Sequence, residues 1–386
     1  MRVAVVAGPD AGHVFPSVAL CLRLAAAGDE PVLLTTDGWR DAAVAAGIDA
    51  PPLEWLALRY EADIGRWLHD RAAELARDLV PTLGLLKPDL VVSDVLATCG
   101  GMAAELSGLP WVELSPHPLY LPSRGLPPIG SGLAPGVGVG GRLRDALLRR
   151  ATARSLRQGH RQRAAARRGI GLPATDPGPA ARLIATLPAL EVPRPDWPAQ
   201  AHVVGPLLWD PVPAGLTPPP GDQPLVMIAP STAVNGATDM LSATLAALAG
   251  LDVRAAISTF QPPDRLPDWA RAGAGGQDEL LRQADVVVCG AGHGLLAKAL
   301  LAGVPVVAVP GGGDQWELAN RAARQGSAVV VRPPTADAVR AAVVKVLGDQ
   351  RFAASAAEAA KTVAEVADPV TVCRSVVWTR RAPNGL

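Results

Sequence analysis

The sequence contains little of several residue types that particular protein classes need. Its 386 residues include only four cysteines, which lie far apart, so neither a zinc site nor a disulfide framework is expected and a reducing compartment fits. Aromatic residues make up 4%, and Lys plus Arg equals Asp plus Glu at 36 each. The chain therefore lacks both the stacking residues and the basic excess that are typical of nucleic-acid-binding proteins.

Long apolar runs and a secretion signal are also missing. No apolar run approaches the roughly 20 residues of a membrane-spanning helix. The first residues lead directly into a short strand-like segment instead of the apolar core of a signal peptide. We therefore expect a soluble, cytoplasmic protein with no stable membrane insertion.

Two sequence motifs of common enzyme classes are absent as well. The glycine spacing of the dinucleotide-binding fingerprint does not occur after the first strand, which disfavours a nicotinamide-dependent oxidoreductase. No Gly-x-Ser-x-Gly elbow occurs in the chain, so a serine hydrolase is disfavoured too.

Hydrophobic residues are abundant, at 49% of the chain, and strand-like and helix-like segments alternate along it. Residues 3–7 and 90–93 are apolar without polar alternation, which is typical of parallel strands covered by helices on both faces. The alternation runs through the first half, stops in a proline-rich segment and then restarts. It predicts an α/β fold of two doubly wound, Rossmann-like domains that face each other across a cleft.

The proline-rich segment defines the expected domains. We expect an N-terminal domain at 1–205, a semi-rigid linker at 206–223 and a C-terminal domain at 224–368. The tail at 369–386 is expected to pack back on the N-terminal domain. Ligands of such sheets bind outside the carboxyl ends of the strands, so any substrate is expected between the two domains.

Two segments between predicted elements have unusual compositions. Residues 116–141 are rich in proline and glycine and poor in charge, which predicts a long irregular loop of the kind that often binds ligands. The arginine-rich segment at 142–168 is predicted to be a helix. Its arginines form either a solvated face, which is the more common case, or a basic contact surface.

Two titratable residues in the first half follow predicted strands. His13 is expected at or near the first turn of the first helix, where the helix dipole disfavours the imidazolium and favours a neutral ring that can act as a general base. Asp94 ends a strand at the same edge of the sheet, where a carboxylate can orient an imidazole and stabilise the cation that forms. Packing or capping for His13, and a helix N-cap for Asp94, are the alternatives.

Two turns in the second half carry groups suited to a phosphate. Ser231 and Thr232 offer hydroxyls after a predicted strand, with ordinary capping as the alternative. A second turn is rich in glycine, so its backbone can approach an anion and bind it through the free amides of the following helix. The candidate residues of this second turn are Gly290, Gly292, His293 and Gly294. His293 can donate to a phosphate or can simply tolerate the tight turn.

A third turn of the second half is suited to a sugar. Asp314 and Gln315 follow three glycines at the end of a predicted strand. A neighbouring acid and amide supply both acceptors and a donor, which match the hydroxyl groups of a sugar. The alternative is a helix with Asp314 as its N-cap and Gln315 on its exposed face.

Together these segments resemble the nucleotide-sugar-dependent glycosyltransferases of the GT-B fold. The greatest likeness is to the bacterial natural-product branch, of macrolide type, of the UDP-glycosyltransferase superfamily. The resemblance covers nearly the whole chain, and its segments match in order and spacing. They are residues 12–36, 87–115, 196–211 and 276–331. The first of them, beginning GHVFPS, is also similar to the first unit of the peptidoglycan lipid II glycosyltransferase.

The resemblance implies an inverting transfer from a nucleoside-diphosphate sugar, UDP- or dTDP-linked, to a hydroxyl of a small, largely apolar acceptor such as a natural product. It implies that the N-terminal domain binds the acceptor and that the C-terminal domain binds the donor. His13 matches the family's catalytic base, and Asp94 matches the acid that orients it. Asp314 and Gln315 match the pair that holds donor-sugar hydroxyls.

The resemblance also assigns the nucleotide side of the site. Ser231 and Thr232 fall where the family contacts the diphosphate, and Gln277 matches a nucleotide-binding position. No metal and no cofactor are implied, because amides, hydroxyls and a histidine neutralise the leaving group in this family.

The donor loop departs from the family pattern. Gly290 stands where the family has a histidine that bonds the diphosphate, Leu295 replaces a Ser or Thr, and Lys298 replaces a ribose-binding Glu. The loss of one charge-assisted phosphate contact costs about 1.5–3 kcal/mol. Three alternatives fit this change. His293 or Lys298 compensates for the lost phosphate contact, the protein uses a different donor, or its turnover is weak.

Two other functions share the predicted fold. A non-catalytic GT-B protein that binds a nucleotide or stabilises a partner enzyme is the main alternative, because the donor loop is altered. A nucleotide-sugar epimerase ranks last, because the donor loop carries no additional acids.

Overall fold

The computed structural model describes residues 1–52, 64–211, 215–231, 236–237 and 239–381. Within these ranges the chain forms two six-stranded sheets in which all neighbouring strands pair in parallel. Helices cover both faces of each sheet. The predicted architecture of two doubly wound parallel α/β halves is confirmed.

In the described ranges, the first half contributes six strands and five α-helices. The strands are β1 (Arg2–Val6), β2 (Glu30–Leu34), β3 (Leu90–Asp94), β4 (Trp111–Ser115), β5 (Ala181–Ile184) and β6 (Ala201–Val203). The helices are α1 (Ala11–Ala26), α2 (Asp37–Ala45), α3 (Ile64–Leu86), α4 (Cys99–Leu106) and α5 (Gly138–Gly169). The strand order is β2-β1-β3-β4-β5-β6, so the winding direction reverses between β1 and β3. Such a reversal opens a crevice at the carboxyl ends of those two strands.

The second half repeats this plan. Its strands are β7 (Leu225–Ala229), β8 (Arg254–Ser258), β9 (Ala270–Gly273), β10 (Val286–Cys289), β11 (Val306–Ala308) and β12 (Ala328–Val330). Its helices are α6 (Met240–Leu248), α7 (Gln277–Leu281), α8 (His293–Leu301), α9 (Gln315–Gln325), α10 (Ala336–Gly348), α11 (Arg351–Lys361) and α12 (Pro369–Arg381). The strand order β12-β11-β10-β7-β8-β9 places its reversal between β7 and β10.

Burial on both sheet faces explains the continuous apolar strands. Val3 and Val5 belong to the core cluster that includes residues of α1, whereas Ala4 and Val6 face the cluster formed with α3 and α4. Each of these four residues is at most 1% exposed. Full burial of one valine contributes about 1.5–3 kcal/mol, so an all-apolar strand is stabilised on both faces of the sheet.

Helix α12 returns to the first half after the second sheet is complete. Val370 and Cys373 are buried in the same cluster as Val3. Nη2 of Arg374 lies 3.0 Å from Oδ2 of Asp29 at the end of α1. The tail up to residue 381 thus packs on the N-terminal half, and residues 382–386 lie outside the described part of the chain.

The loop before α5 and the helix itself have distinct environments. The irregular segment after β4 runs to Val137, and α5 then extends over 32 residues. Most of its arginines are exposed, but Arg167 is buried and bonds Glu105 through Nη2 at 2.7 Å.

Among the helices that the structure describes, none is long and apolar enough to cross a membrane.

Candidate active site

The strand-order reversal of the first sheet brings His13 and Asp94 together. Asp10 is the N-cap of α1, so His13 lies in the first helical turn, as the sequence predicts. Nδ1 of His13 lies 2.9 Å from Oδ2 and 3.0 Å from Oδ1 of Asp94. The Asp94 side chain is fully buried, whereas 17% of the His13 side chain is exposed. With Nδ1 engaged, Nε2 is the ring nitrogen that can meet a substrate.

Asp94 orients His13 and is not the N-cap of the following helix, because that position of α4 is occupied by Thr98. The backbone amide of Leu96 donates to its Oδ1 at 2.9 Å, so the carboxylate also caps the turn after β3. This second bond holds the carboxylate in place beneath the imidazole. A carboxylate in this position keeps the proton on Nδ1 and leaves Nε2 as a hydrogen-bond acceptor.

Several nearby carboxylates act on the His13 ring. Burial lowers the pKa of His13, but the charge and hydrogen bond of Asp94, followed by the charges of Asp10 and Asp314, outweigh burial and raise this pKa above 6.5. These carboxylates act against the helix dipole, which favours the neutral ring. Asp314 acts on His13 electrostatically from the other half of the molecule.

Asp314 and Gln315 occupy the start of α9 in different ways. Asp314 is the N-cap, but its side chain makes no capping hydrogen bond, so the carboxylate can bind a ligand. Gln315 is only 4% exposed and so does not lie on an exposed helix face. Its Oε1 accepts from Gly311 N at 2.9 Å, and its Nε2 donates to Ser231 Oγ at 2.8 Å. Contact of either residue with a sugar stays a prediction.

The strand-order reversal of the second sheet brings Ser231 and Gly290 together. A Cβ atom at Gly290 would lie 3.2 Å from Cβ of Ser231 and 3.2 Å from Oε1 of Gln315. The Gln315 amide therefore fills the space into which a larger residue at position 290 would extend. Thr232, the other hydroxyl predicted to contact a diphosphate, lies outside the described residues.

The turn before α8 has a backbone suited to close approach by an anion. Gly292 is the N-cap of α8, and first-turn amides of a helix have no intrahelical acceptor. Ala291 has φ 58°, an uncommon conformation for a residue with a side chain. Apart from the adjoining residues and the helix's own backbone, no atom of the described residues lies within 4 Å of a Cβ position at Gly292 or Gly294. Diphosphate binding by this turn stays a prediction.

His293 is engaged at the boundary between the two halves. Its Nε2 lies 2.8 Å from Oγ1 of Thr186, which follows β5 in the first half. Burial, together with the nearby His117, lowers the pKa of His293 to about 3, so the ring is neutral. Nε2 of His293 therefore links the two sheets in this structure.

Two further residues of the predicted nucleotide side have protein partners. Nζ of Lys298 lies 3.3 Å from Oδ2 of Asp210 and 3.3 Å from Oδ1 of Asp278. Its positive charge is thus opposed by two carboxylates. Gln277 begins α7, and its Nε2 lies 3.5 Å from Oγ of Ser258, at the outer limit of a hydrogen bond.

His117 and Tyr120 are cleft residues that our reading of the sequence missed. Both follow β4, and their rings stack with centroids 4.4 Å apart. The His117 ring centroid lies 6.3 Å from that of His13, with the two planes nearly perpendicular. The pattern that identified His13, a histidine shortly after a strand, also applies to His117 and could have found it.

The loop before α5 docks on α9. Nε1 of Trp316 donates to the Ser131 carbonyl at 3.1 Å, and Gly132 N donates to Oε2 of Glu317 at 2.9 Å. Arg324 donates to the Gly132 carbonyl at 2.7 Å. Gly132 has φ 68°, and a Cβ there would collide with the Trp316 indole, so this close approach requires glycine. The loop of the first half is thereby fixed to the helix that begins beside Asp314.

The described ranges contain no group of three or more His, Cys, Asp or Glu side chains arranged to hold a metal ion. His13 and Asp94 meet in the cleft, and the charge of Asp314 acts on the His13 ring from the other half. These three residues supply one base and two acids.

Sequence comparisons identify related proteins over most of the chain. Residues 244–378 match the family described as erythromycin biosynthesis protein CIII-like, C-terminal domain. The chain is 27% identical over 401 residues to 4'-demethylrebeccamycin synthase of Lentzea aerocolonigenes, with 92% of this chain and 94% of the relative covered.

Solved structures superpose on both halves of this chain. The glycotransferase of kitacinnamycin superposes with a TM-score of 0.75 at 22% identity, covering 98% of each chain. Spinosyn rhamnosyltransferase SpnG, complexed with thymidine diphosphate, gives a TM-score of 0.69 at 23% identity and covers 97% of this chain and 100% of its own. The chain therefore has the GT-B fold. Its predicted resemblance to the natural-product glycosyltransferases of macrolide type is confirmed.

Proposed function

We propose that the protein is an inverting glycosyltransferase that moves a sugar from a nucleoside-diphosphate sugar to a hydroxyl of a small, largely apolar acceptor. The observation that carries the proposal is the His13–Asp94 pair, on which the charge of Asp314 acts from the other half. A base on one side of the cleft and a sugar-binding acid on the other are what transfer between two bound substrates requires.

In the proposed reaction, Nε2 of His13 takes the proton of the acceptor hydroxyl while the hydroxyl oxygen attacks the anomeric carbon. The bond from this carbon to the β-phosphate oxygen breaks, and the nucleoside diphosphate leaves with the electron pair. Attack from the side opposite the leaving group inverts the anomeric configuration. Asp94 stabilises the imidazolium that forms, and the imidazolium then loses its proton to solvent.

The leaving diphosphate is proposed to lie at the start of α8. The first-turn amides and the helix dipole favour negative charge there, and the Ser231 hydroxyl lies beside Gly290 in the adjoining turn. These groups can stabilise the leaving group without a metal ion or cofactor. The thymidine diphosphate bound to the structurally similar SpnG supports a dTDP-linked donor, with a UDP-linked donor as the second choice.

One observation supports an apolar acceptor, and a second supports a natural product. Leu96, whose amide bonds Asp94, is 55% exposed and offers an apolar contact next to the proposed base. The similar synthase from Lentzea aerocolonigenes is named for a rebeccamycin product, which supports a natural product as acceptor.

The proposal is tested by incubating the purified chain with TDP-glucose, TDP-rhamnose or UDP-glucose and a panel of apolar hydroxylated acceptors. We expect products heavier by one sugar, with inverted anomeric configuration by NMR. His13→Ala should abolish transfer, whereas His160→Ala, on an exposed position of α5, should retain it. Equal transfer by wild type and His13→Ala would exclude His13 as the base.

A non-catalytic GT-B protein is the second candidate function. Gly290 offers no side chain to a diphosphate, and Lys298 is already paired with Asp210 and Asp278. Calorimetry with TDP and UDP separates the candidates when it is combined with the transfer assay. If the protein binds a nucleotide but transfers sugar with none of the substrate pairs, the non-catalytic function is favoured.

A further inference from the structure

The loop after β4 carries two ring side chains that the proposed mechanism does not use. The ring planes of His117 and Tyr120 lie 19° apart with a centroid separation of 4.4 Å, so the two rings form one stacked unit. The His117 ring also meets the His13 ring edge-on at 6.3 Å. The stacked unit therefore adjoins the proposed base.

The hydrogen-bonding state of His117 is set by the backbone. Its Nδ1 lies 2.8 Å from the carbonyl oxygen of Pro118, which can only accept, so Nδ1 carries a proton. Burial lowers the pKa of His117, although the Pro118 carbonyl and Asp314 act in the opposite direction. The ring is therefore neutral near pH 7, and Nε2 is a lone-pair acceptor.

The Tyr120 hydroxyl is buried, and the part of the chain that the structure describes supplies it with no hydrogen-bond partner. Buried hydroxyls nearly always have a hydrogen-bond partner, so a ligand atom beside this hydroxyl would supply the partner that it lacks. The ring itself is held by His117 and by the guanidinium of Arg321, whose carbon lies 5.6 Å from the ring centroid. Arg321 is in turn bonded by Glu317 at 3.0 Å.

Both rings lie close to the acid predicted to hold the donor sugar. Burial raises the pKa of Tyr120 well above 10, and the charge of Asp314 is the next largest cause. Asp314 also acts on His117 and on His13. The charge of one carboxylate of the second half thus acts on all three rings of the first half.

We propose that the Tyr120 hydroxyl and Nε2 of His117 bind hydroxyl groups of the transferred sugar, together with Asp314. This inference rests on the proposed function and assigns the first half a role in donor-sugar selection. A sugar hydroxyl can donate to Nε2 of His117 and accept from Oη of Tyr120. An apolar acceptor would leave both atoms unbonded, which makes the sugar the better occupant.

The test measures sugar binding separately from nucleotide binding. Calorimetry with TDP, TDP-glucose and TDP-rhamnose is carried out on wild type, Tyr120→Phe, His117→Phe and His117→Gln. Tyr120→Phe removes only the hydroxyl, and His117→Phe keeps a ring for stacking but removes both nitrogens. His117→Gln keeps an acceptor. His160→Phe, on the exposed part of α5, is the matched control.

We expect Tyr120→Phe and His117→Phe to bind TDP like wild type and to bind the TDP-sugars about 5- to 20-fold more weakly. His117→Gln should recover part of the loss, and His160→Phe should show none. Donors that lack the contacted hydroxyl should bind wild type and Tyr120→Phe equally.

Two results would overturn the inference, and they differ from failure of the proposed function. If wild type transfers sugar while Tyr120→Phe and His117→Phe bind TDP-sugars like wild type, the rings do not contact the sugar. If TDP and TDP-sugars lose affinity by the same factor, the rings have a structural role only. If wild type binds no nucleotide sugar, the proposed function and this inference both fail.

Discussion

Oγ1 of Thr186 lies 2.8 Å from Nε2 of His293, and this contact joins the carboxyl edge of one sheet to that of the other. Thr186 follows β5, and His293 begins α8. Both residues are buried, so water does not compete for the bond. The contact sets the spacing of the cleft at the turn where a diphosphate is proposed to bind.

Thr186→Val should destabilise the protein by about 1–3 kcal/mol, because valine keeps the shape of threonine but leaves the buried imidazole without this partner. Chemical denaturation of the variant measures the change in the free energy of unfolding. Thr379→Val, at an exposed position of α12, is the control and should change stability by less than about 0.5 kcal/mol. Equal stability of Thr186→Val and wild type would show that the bond contributes nothing.

The pH dependence of transfer should report the His13–Asp94 pair. The protonated ring cannot accept a proton, so kcat/KM should rise with pH through an apparent pKa above 6.5. Asp94→Asn removes the main group that raises this pKa and leaves burial, which lowers it. The acid limb should therefore move to lower pH, while the maximal rate falls about 100-fold or more. An unchanged limb in Asp94→Asn would show that another group titrates.

Asp314→Ala should separate sugar binding from folding. The Asp314 side chain makes no capping hydrogen bond, so its removal should change the free energy of unfolding by less than about 0.5 kcal/mol. The loss of a charged sugar contact should lower kcat/KM by about 10-fold or more while TDP affinity stays the same. Asp337→Ala, exposed in the first turn of α10, is the matched control. A parallel loss of TDP affinity would assign Asp314 to the nucleotide instead.

Chelation should leave transfer intact. The amides at the start of α8 and the Ser231 hydroxyl are proposed to stabilise the leaving diphosphate, so EDTA should not change kcat with TDP-sugars. The measurement compares initial rates with EDTA, with added Mg²⁺ and with neither. A loss with EDTA that Mg²⁺ restores would contradict this account of the leaving group.

The sequence predicted the long, apolar strands better than the short ones. The central strands β1 and β3 are apolar runs buried on both faces, and each was predicted from its composition. β5, β6 and β9 have only three or four residues each. Their neighbours in the sheet define them, and no local pattern marks them.

The candidate site was predictable where a side chain follows a strand. His13 and Asp94 are 81 positions apart, yet both lie at carboxyl ends of parallel strands, and such ends share one edge of a sheet. The partner of Gln315 could not be predicted in this way. Its contact with Ser231, 84 positions away, depends on β7 and β10 being neighbours and on the small residue at Gly290.

By itself, the sequence determined the alternation of strands and helices, the two halves of the chain and the placement of His13, Asp94 and Asp314 at strand ends. These features follow from local periodicity and from short-range turn chemistry. Only the tertiary structure decided that His293 bonds Thr186, that Gln315 turns toward Ser231, and that His117 and Tyr120 stack beside the base. Such contacts depend on strand order and on the approach of the two sheets, which bring together side chains about a hundred residues apart in the sequence. The local sequence pattern contains no information about these pairings.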